Sequence, residues 1–152
     1  MTALRVRSYW NIVRTAIYGL IAGLVLTFLL KWLEAVTDVK VYTFLLNVDY
    51  IPVVGTVDYP EWLEVVFHLI VSVAVAFGFR LMYILRPHWK RRALLICTAV
   101  SVLIGILLFP TTALSDRTPD VTDGTAMLLW LAGHAVFGTV LGLLFRREIA
   151  SN

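Results

Sequence analysis

Four long apolar stretches without a charged residue recur along the chain, at Thr15–Leu30, Val65–Phe79, Ala93–Ser115 and Gly124–Phe145. Each is too long for a strand, and with ends such as Lys31 and Arg80 snorkelling outward each reaches the ~20 residues that cross a bilayer. The pattern predicts four transmembrane helices over about 13–33, 61–85, 92–114 and 123–146, with a first outer loop over 34–60. The expected fold class is all-α and integral to a membrane: a four-transmembrane-helix bundle forming one membrane domain over 1–152.

Composition sharpens this picture. The 152 residues are 60% hydrophobic and 15% charged, with a mean hydropathy of +0.85, whereas soluble domains carry charge on roughly a quarter of their residues. Four spans leave little chain for anything but connections, which excludes a large soluble catalytic domain. A single cysteine, Cys97, excludes an intrachain disulfide.

The net charge of +3 conceals a segregation. Arg5, Arg7, Arg14, Arg80, Arg86, Lys90, Arg91, Arg92, Arg146 and Arg147, ten of the thirteen bases, flank one end of the predicted helices, joined by a single acid, Glu148. The other end collects nine of the ten acids, with Lys31, Lys40 and Arg117. The positive-inside rule predicts that both termini are cytoplasmic. Arg14, Arg80, Arg91, Arg92, Arg146 and Arg147 then read as topology anchors at anionic lipid headgroups. Trp10, Tyr83 and Trp89 at the inner boundary, and Trp32, Tyr59 and Trp62 at the outer one, read as interfacial aromatics. No basic stretch is long or aromatic-interleaved enough for a nucleic-acid groove. The first span resembles a signal peptide in charge pattern, but Lys31-Trp32-Leu33-Glu34 follows it with no small-x-small cleavage site, so it is expected to be a permanent span.

The second and fourth spans share a pattern. With His68 over His134, Ser72 meets Gly138, Ala76 meets Gly142, Phe79 meets Phe145 and Arg80 meets Arg146. The first and third spans align from Arg14 and Arg92, matching Gly19 with Cys97, Gly23 with Ser101 and Thr27 with Gly105. The offsets are 66 and 78 residues, so the halves differ mainly in the length of the first outer loop. The expectation is two tandem helical hairpins related by a pseudo-two-fold along the membrane normal. Each histidine lies twelve residues from its arginine, about 18 Å at 1.5 Å per residue, which is just beyond the midplane toward the outside. Gly19, Gly23, Ser72, Ala76, Gly138 and Gly142 form narrow small-residue stripes that predict close helix packing.

The first outer connection, Glu34 to Glu61, spans 28 residues, far more than two antiparallel helices need. Val39, Tyr42, Leu45 and Leu46 predict a short amphipathic helix at the outer surface, capping the bundle or meeting a partner, before an irregular apolar run through Ile51-Pro52-Val53-Val54-Gly55. Pro60, Glu61 and Glu64, and Thr122-Asp123, read as ordinary helix starts. Glu64 also stands four residues before His68, one helical turn from an intramembrane imidazole.

Gly19-Leu20-Ile21-Ala22-Gly23, Phe28, Lys31-Trp32, Glu34, His68-x-x-x-Ser72-x-x-x-Ala76-x-Gly78, Phe109-Pro110 and Gly133-His134 before Arg146-Arg147 together resemble the YagU-like family of bacterial inner-membrane proteins. The resemblance touches all four spans. It implies a bacterial cytoplasmic membrane and a link to acid resistance, with no established reaction or transported substrate. The chain departs from that family in a shorter outer loop and in Gly142, where the family can carry an acid.

The leading expectation is a non-enzymatic, pH-responsive membrane protein in which His68 and His134, helped by Glu64 and by Lys31 and Glu34, change charge as external pH falls. The plainer alternative is that each histidine only hydrogen-bonds a neighbouring helix. His68, His134 and Glu64 are also a sufficient donor set for Zn²⁺ with an open position. No HExxH, cysteine cluster or phosphate loop accompanies them, so no enzyme, metal or cofactor is expected. Cys97 occupies a small-residue slot, which points to packing. Expected partners are membrane lipids and either further copies of the chain or another membrane protein. An accessory subunit and a small transporter stay open beside the pH-responsive reading.

Overall fold

The computed structural model describes residues 2–48 and 59–150, and these are helical with no strand among them. In chain order the α-helices are α1 (Thr2–Thr37), α2 (Val41–Leu46), α3 (Glu61–Leu85), α4 (Ala93–Leu108) and α5 (Gly124–Ala150). Single 3₁₀ segments, Pro87–Arg92 and Phe109–Leu114, extend α4 at either end. Four segments are long and apolar enough to cross a membrane: Trp10–Thr37, Glu61–Leu85, Pro87–Leu114 and Gly124–Glu148, of 25 to 28 residues each. The first begins earlier and ends later than 13–33, so the outer loop starts at Asp38 rather than at Glu34. The apolar run Ile51–Gly55 lies outside the described residues.

Local chemistry explains the boundaries. α1 stops where Asp38 takes φ 58°, with its N–H donating to Glu34 O at 2.9 Å. Aspartate tolerates this left-handed conformation better than most residues because its short polar side chain finds local partners. α3 ends before Pro87, which has no N–H to continue a helix. Asp123 caps α5, its Oδ1 accepting from the N–H groups of Thr125 at 2.9 Å and Ala126 at 3.0 Å.

The helices pack in the order α3, α1, α5, α4, with α1 against α3, α4 against α5 and α1 against α5 joining the pairs. α3 and α4 make little direct contact. Glycine sets the close approaches. A Cβ on Gly19 would lie 2.6 Å from Val73 Cα, and one on Gly23 would lie 2.6 Å from Ser72 Oγ, while Ala76 is fully buried beside them. On the other pair, a Cβ on Gly138 would lie 2.5 Å from Cys97 O and one on Gly142 2.7 Å from Leu94 Cα. The absent side chains let backbones touch, which favours association between helices where lipid removes the hydrophobic drive. The large apolar side chains point the other way: Phe28, Ile70, Leu107 and Leu128 are each at least 60% exposed, as lipid-facing positions require.

One aromatic position differs from the sequence reading. Tyr83 is buried rather than interfacial, with its hydroxyl 3.1 Å from Cys97 Sγ. Trp10, Trp32, Trp62 and Trp89 do face outward. The short helix α2 is likewise not laid out on the surface by one face alone. Val41, Tyr42, Phe44 and Leu46 are all buried, because α2 folds back over the acid-rich end of the bundle against α1, α3 and α5.

Candidate site: an intramembrane cavity under α2

The shortage of contact between α3 and α4 leaves a half-enclosed cavity of about 170 Å³. Its walls come from every α-helix: Leu26 of α1, Phe44 to Leu46 of α2, Glu64, His68 and Ser72 of α3, Ser101 and Ile104 of α4, and Trp130, His134 and Phe137 of α5, with Asn47 and Val48 just after α2. The two histidines that the sequence singles out therefore line one space.

Each imidazole is committed on one edge. His68 Nε2 lies 3.3 Å from Gly23 O and 3.4 Å from Ser72 Oγ. A carbonyl only accepts, so this bond needs the proton on Nε2 and leaves the lone pair on Nδ1. His134 uses the other nitrogen: Nδ1 donates to Trp130 O at 3.0 Å, one turn back on its own helix, leaving the lone pair on Nε2. The two neutral rings are thus opposite tautomers. The Trp130 ring stacks obliquely on His134 at 4.3 Å and its Nε1–H donates to Gly105 O at 2.9 Å, which ties α5 to α4 at this depth. Gly105 packs closely on this ring, since a Cβ there would lie 3.0 Å from His134 Cγ.

Ser101 is 1% exposed, and its hydroxyl has no partner among the described residues. Glu64 is buried at the acidic end of the cavity, where Arg117 Nη2 approaches it at 3.7 Å. The i, i+4 spacing from Glu64 does not make it His68's hydrogen-bond partner; Gly23 O and Ser72 take that place. Among the described residues no three His, Cys, Asp or Glu side chains converge as a metal-holding group.

Lys31 and Glu34 lie outside the cavity and serve its lid separately. Glu34 Oε2 accepts from the N–H groups of Tyr42 at 2.7 Å and Thr43 at 2.8 Å, and Oε1 accepts from Thr43 Oγ1 at 2.7 Å. α2 has no side-chain cap of its own, so a carboxylate from α1 satisfies its first free N–H groups and complements its dipole. Lys31 instead pairs with Glu61, whose Oε1 also accepts the Tyr42 hydroxyl at 2.6 Å. The Tyr42 phenol is held well above its usual pKa by burial first, then by the bond to Glu61 and the neighbouring charges of Glu61, Glu64 and Glu34.

The arginines divide. Arg14, Arg91, Arg92, Arg146 and Arg147 are exposed, as headgroup anchors would be. Arg80 is turned inward: its guanidinium forms a bidentate pair with Glu148 at 2.7 and 3.0 Å, and Nε donates to the buried Thr15 hydroxyl at 2.9 Å. Sequence reasoning missed this pair, as well as Ser101, Asn47 and Trp130 in the cavity wall. Glu148 was the lone acid among ten bases, and that isolation was the available signal. No family model, no curated protein and no solved structure matches the chain.

Proposed function

We propose that the chain is a non-enzymatic, multi-pass protein of a bacterial cytoplasmic membrane, with both termini cytoplasmic, that responds to external pH through His68 and His134. The observation that carries this reading is the meeting of both imidazoles in one cavity under α2. Histidine is the side chain whose ordinary titration falls between about pH 5 and 8, and an ionisable group inside a membrane is costly enough to signal a role. Protonating both rings places two positive charges in a small, mostly apolar space. Among the described cavity-lining side chains Glu64 is the one carboxylate, and Arg117 already approaches it. Among the described lining groups from α1, α4 and α5, His134 is the one that titrates and none carries a fixed charge. Repulsion therefore favours separation where α3 and α4 are least joined. The YagU-like resemblance supplies the link to acid resistance.

The same reading includes a tandem repeat of two hairpins about a pseudo-two-fold. Its support is that aligned positions make like contacts: Gly23 meets Ser72 on α3, and Ser101 meets Gly138 on α5. Such a protein works among lipids, as a homo-oligomer or beside another membrane protein, without a cofactor.

Imidazole titration by ¹⁵N NMR in bilayers tests the proposal. The expected result is titration of at least one ring between about pH 5 and 7, with shifts at the facing ends of α3 and α4 that vanish when both histidines become Gln. Rings that stay neutral down to pH 4, with unchanged acid survival of the double variant, would reduce both to packing residues.

A further inference from the structure

We propose that the cavity between α3 and α4 binds a neutral, membrane-soluble phenol: one aromatic ring carrying a hydroxyl group, reaching the site from lipid through the gap between those helices. Size comes first. A cavity of about 150 Å³ with apolar walls takes a benzene ring, and this one is about 170 Å³. The walls suit an aromatic guest, since Phe44 and Trp130 lie 4.2 Å apart with their rings tilted, and His134 continues the same surface.

The polar groups specify the hydroxyl. With Nδ1 given to Trp130 O, the neutral His134 ring offers a lone pair on Nε2, which no described residue takes. Ser101 brings a buried hydroxyl with no partner among the described residues. It sits one turn from Gly105 on α4, and Gly105 packs on His134. A phenol answers both, donating its proton to Nε2 and accepting from Ser101. A purely apolar guest leaves the serine unsatisfied, at the cost of an unmade buried hydrogen bond. A carboxylate guest would meet Glu64 and no cation among the described lining residues. The inference uses only the neutral His134 ring and holds whether or not His68 titrates.

Binding of 4-methylphenol to the full chain in synthetic-lipid bilayers, followed by the His134 ring ¹⁵N shifts, tests it, with 4-methylanisole as the control that lacks the donor. The phenol is expected to shift the Nε2 resonance and to bind about tenfold more tightly than the ether, the ratio of one neutral hydrogen bond. Ser101→Ala removes the donor to the ligand oxygen, which both molecules carry, and should weaken both severalfold while leaving the phenol's preference over the ether in place. Val71 lines the cavity yet is 59% exposed, so Val71→Trp has room to fold and should block both ligands. Equal affinities, binding indifferent to Val71→Trp, or no Nε2 shift would each overturn the proposal. Mass spectrometry of an organic extract of protein purified from its native membrane separates two sources: a phenolic compound near one per chain assigns a resident lipid, and its absence assigns a diffusing phenol, provided 4-methylphenol binds as expected.

Discussion

Arg80 shows how a residue's role depends on what another helix brings to it. Its place at the end of α3 fits the anchoring that topology asks of a terminal arginine, yet its side chain is only 14% exposed and that of Glu148 only 9%. Two charges withdrawn this far are stable as a pair and costly apart. Replacing Glu148 with Ala should therefore destabilise the fold by about 3–5 kcal/mol, because it strands the guanidinium, whereas Arg80→Met with Glu148→Met should lie within about 1 kcal/mol of the parent. Reversible unfolding in micelles measures both. A single variant no worse than the double one would show that the pair holds nothing together. Arg146, its counterpart in the aligned pattern, is exposed. Local sequence placed the two arginines alike, and only the arrival of Glu148 from α5 distinguishes them, since a contact across 68 residues leaves no periodic trace.

At the scale of the helices, much of the packing was legible because small residues at every fourth position have few uses in a membrane other than close approach. Gly19, Gly23, Gly138 and Gly142 all sit where a Cβ would press on a neighbouring helix. Gly78 does not, although it belongs to the same His68-to-Gly78 run: nothing lies within 4 Å of the Cβ it would carry. The two kinds should part on substitution. Gly138→Ala forces the Cys97 carbonyl and α4 away and should cost about 1–3 kcal/mol, while Gly78→Ala should be neutral or gain up to about 1 kcal/mol from helix propensity. Thermal midpoints of the two variants, measured side by side, check this, and similar shifts for both would detach the glycine pattern from packing. The inward fold of α2 was less legible. Its apolar spacing was visible, but its orientation depends on Glu34 reaching across from α1 to cap it, and a six-residue helix carries too short a pattern to announce which way it faces.

Across the whole molecule, three kinds of contact act at three depths: an ion pair at the basic end, glycine seams along the spans, and a polar clasp holding α2 over the cavity at the acidic end. The number of spans and the charge asymmetry follow from composition along one dimension. The cavity does not, because it arises where α3 and α4 part beyond their contact at Tyr83 and Cys97. Tyr42 makes the clasp testable, as it joins α2 to Glu61 with Lys31 over its ring at 5.1 Å and the carboxylates of Glu34, Glu61 and Glu64 around it. An unfolded tyrosine ionises near pH 10, and the folded Tyr42 resists to a higher pH. The unfolded chain therefore gives up this proton first as pH rises. The stability that Tyr42 supplies is complete below about pH 10 and is lost progressively above it, as pH climbs toward the folded value. Tyr42→Phe should cost about 1 kcal/mol at neutral pH, for the bond to Glu61, and should unfold with a shallower alkaline dependence than the parent. Other tyrosines ionise in both proteins, so the difference between the two unfolding curves from pH 8 to 11 isolates Tyr42. Parallel curves over that range would mean that the phenol is open to water and that α2 is held over the cavity by Glu34 and its apolar face alone.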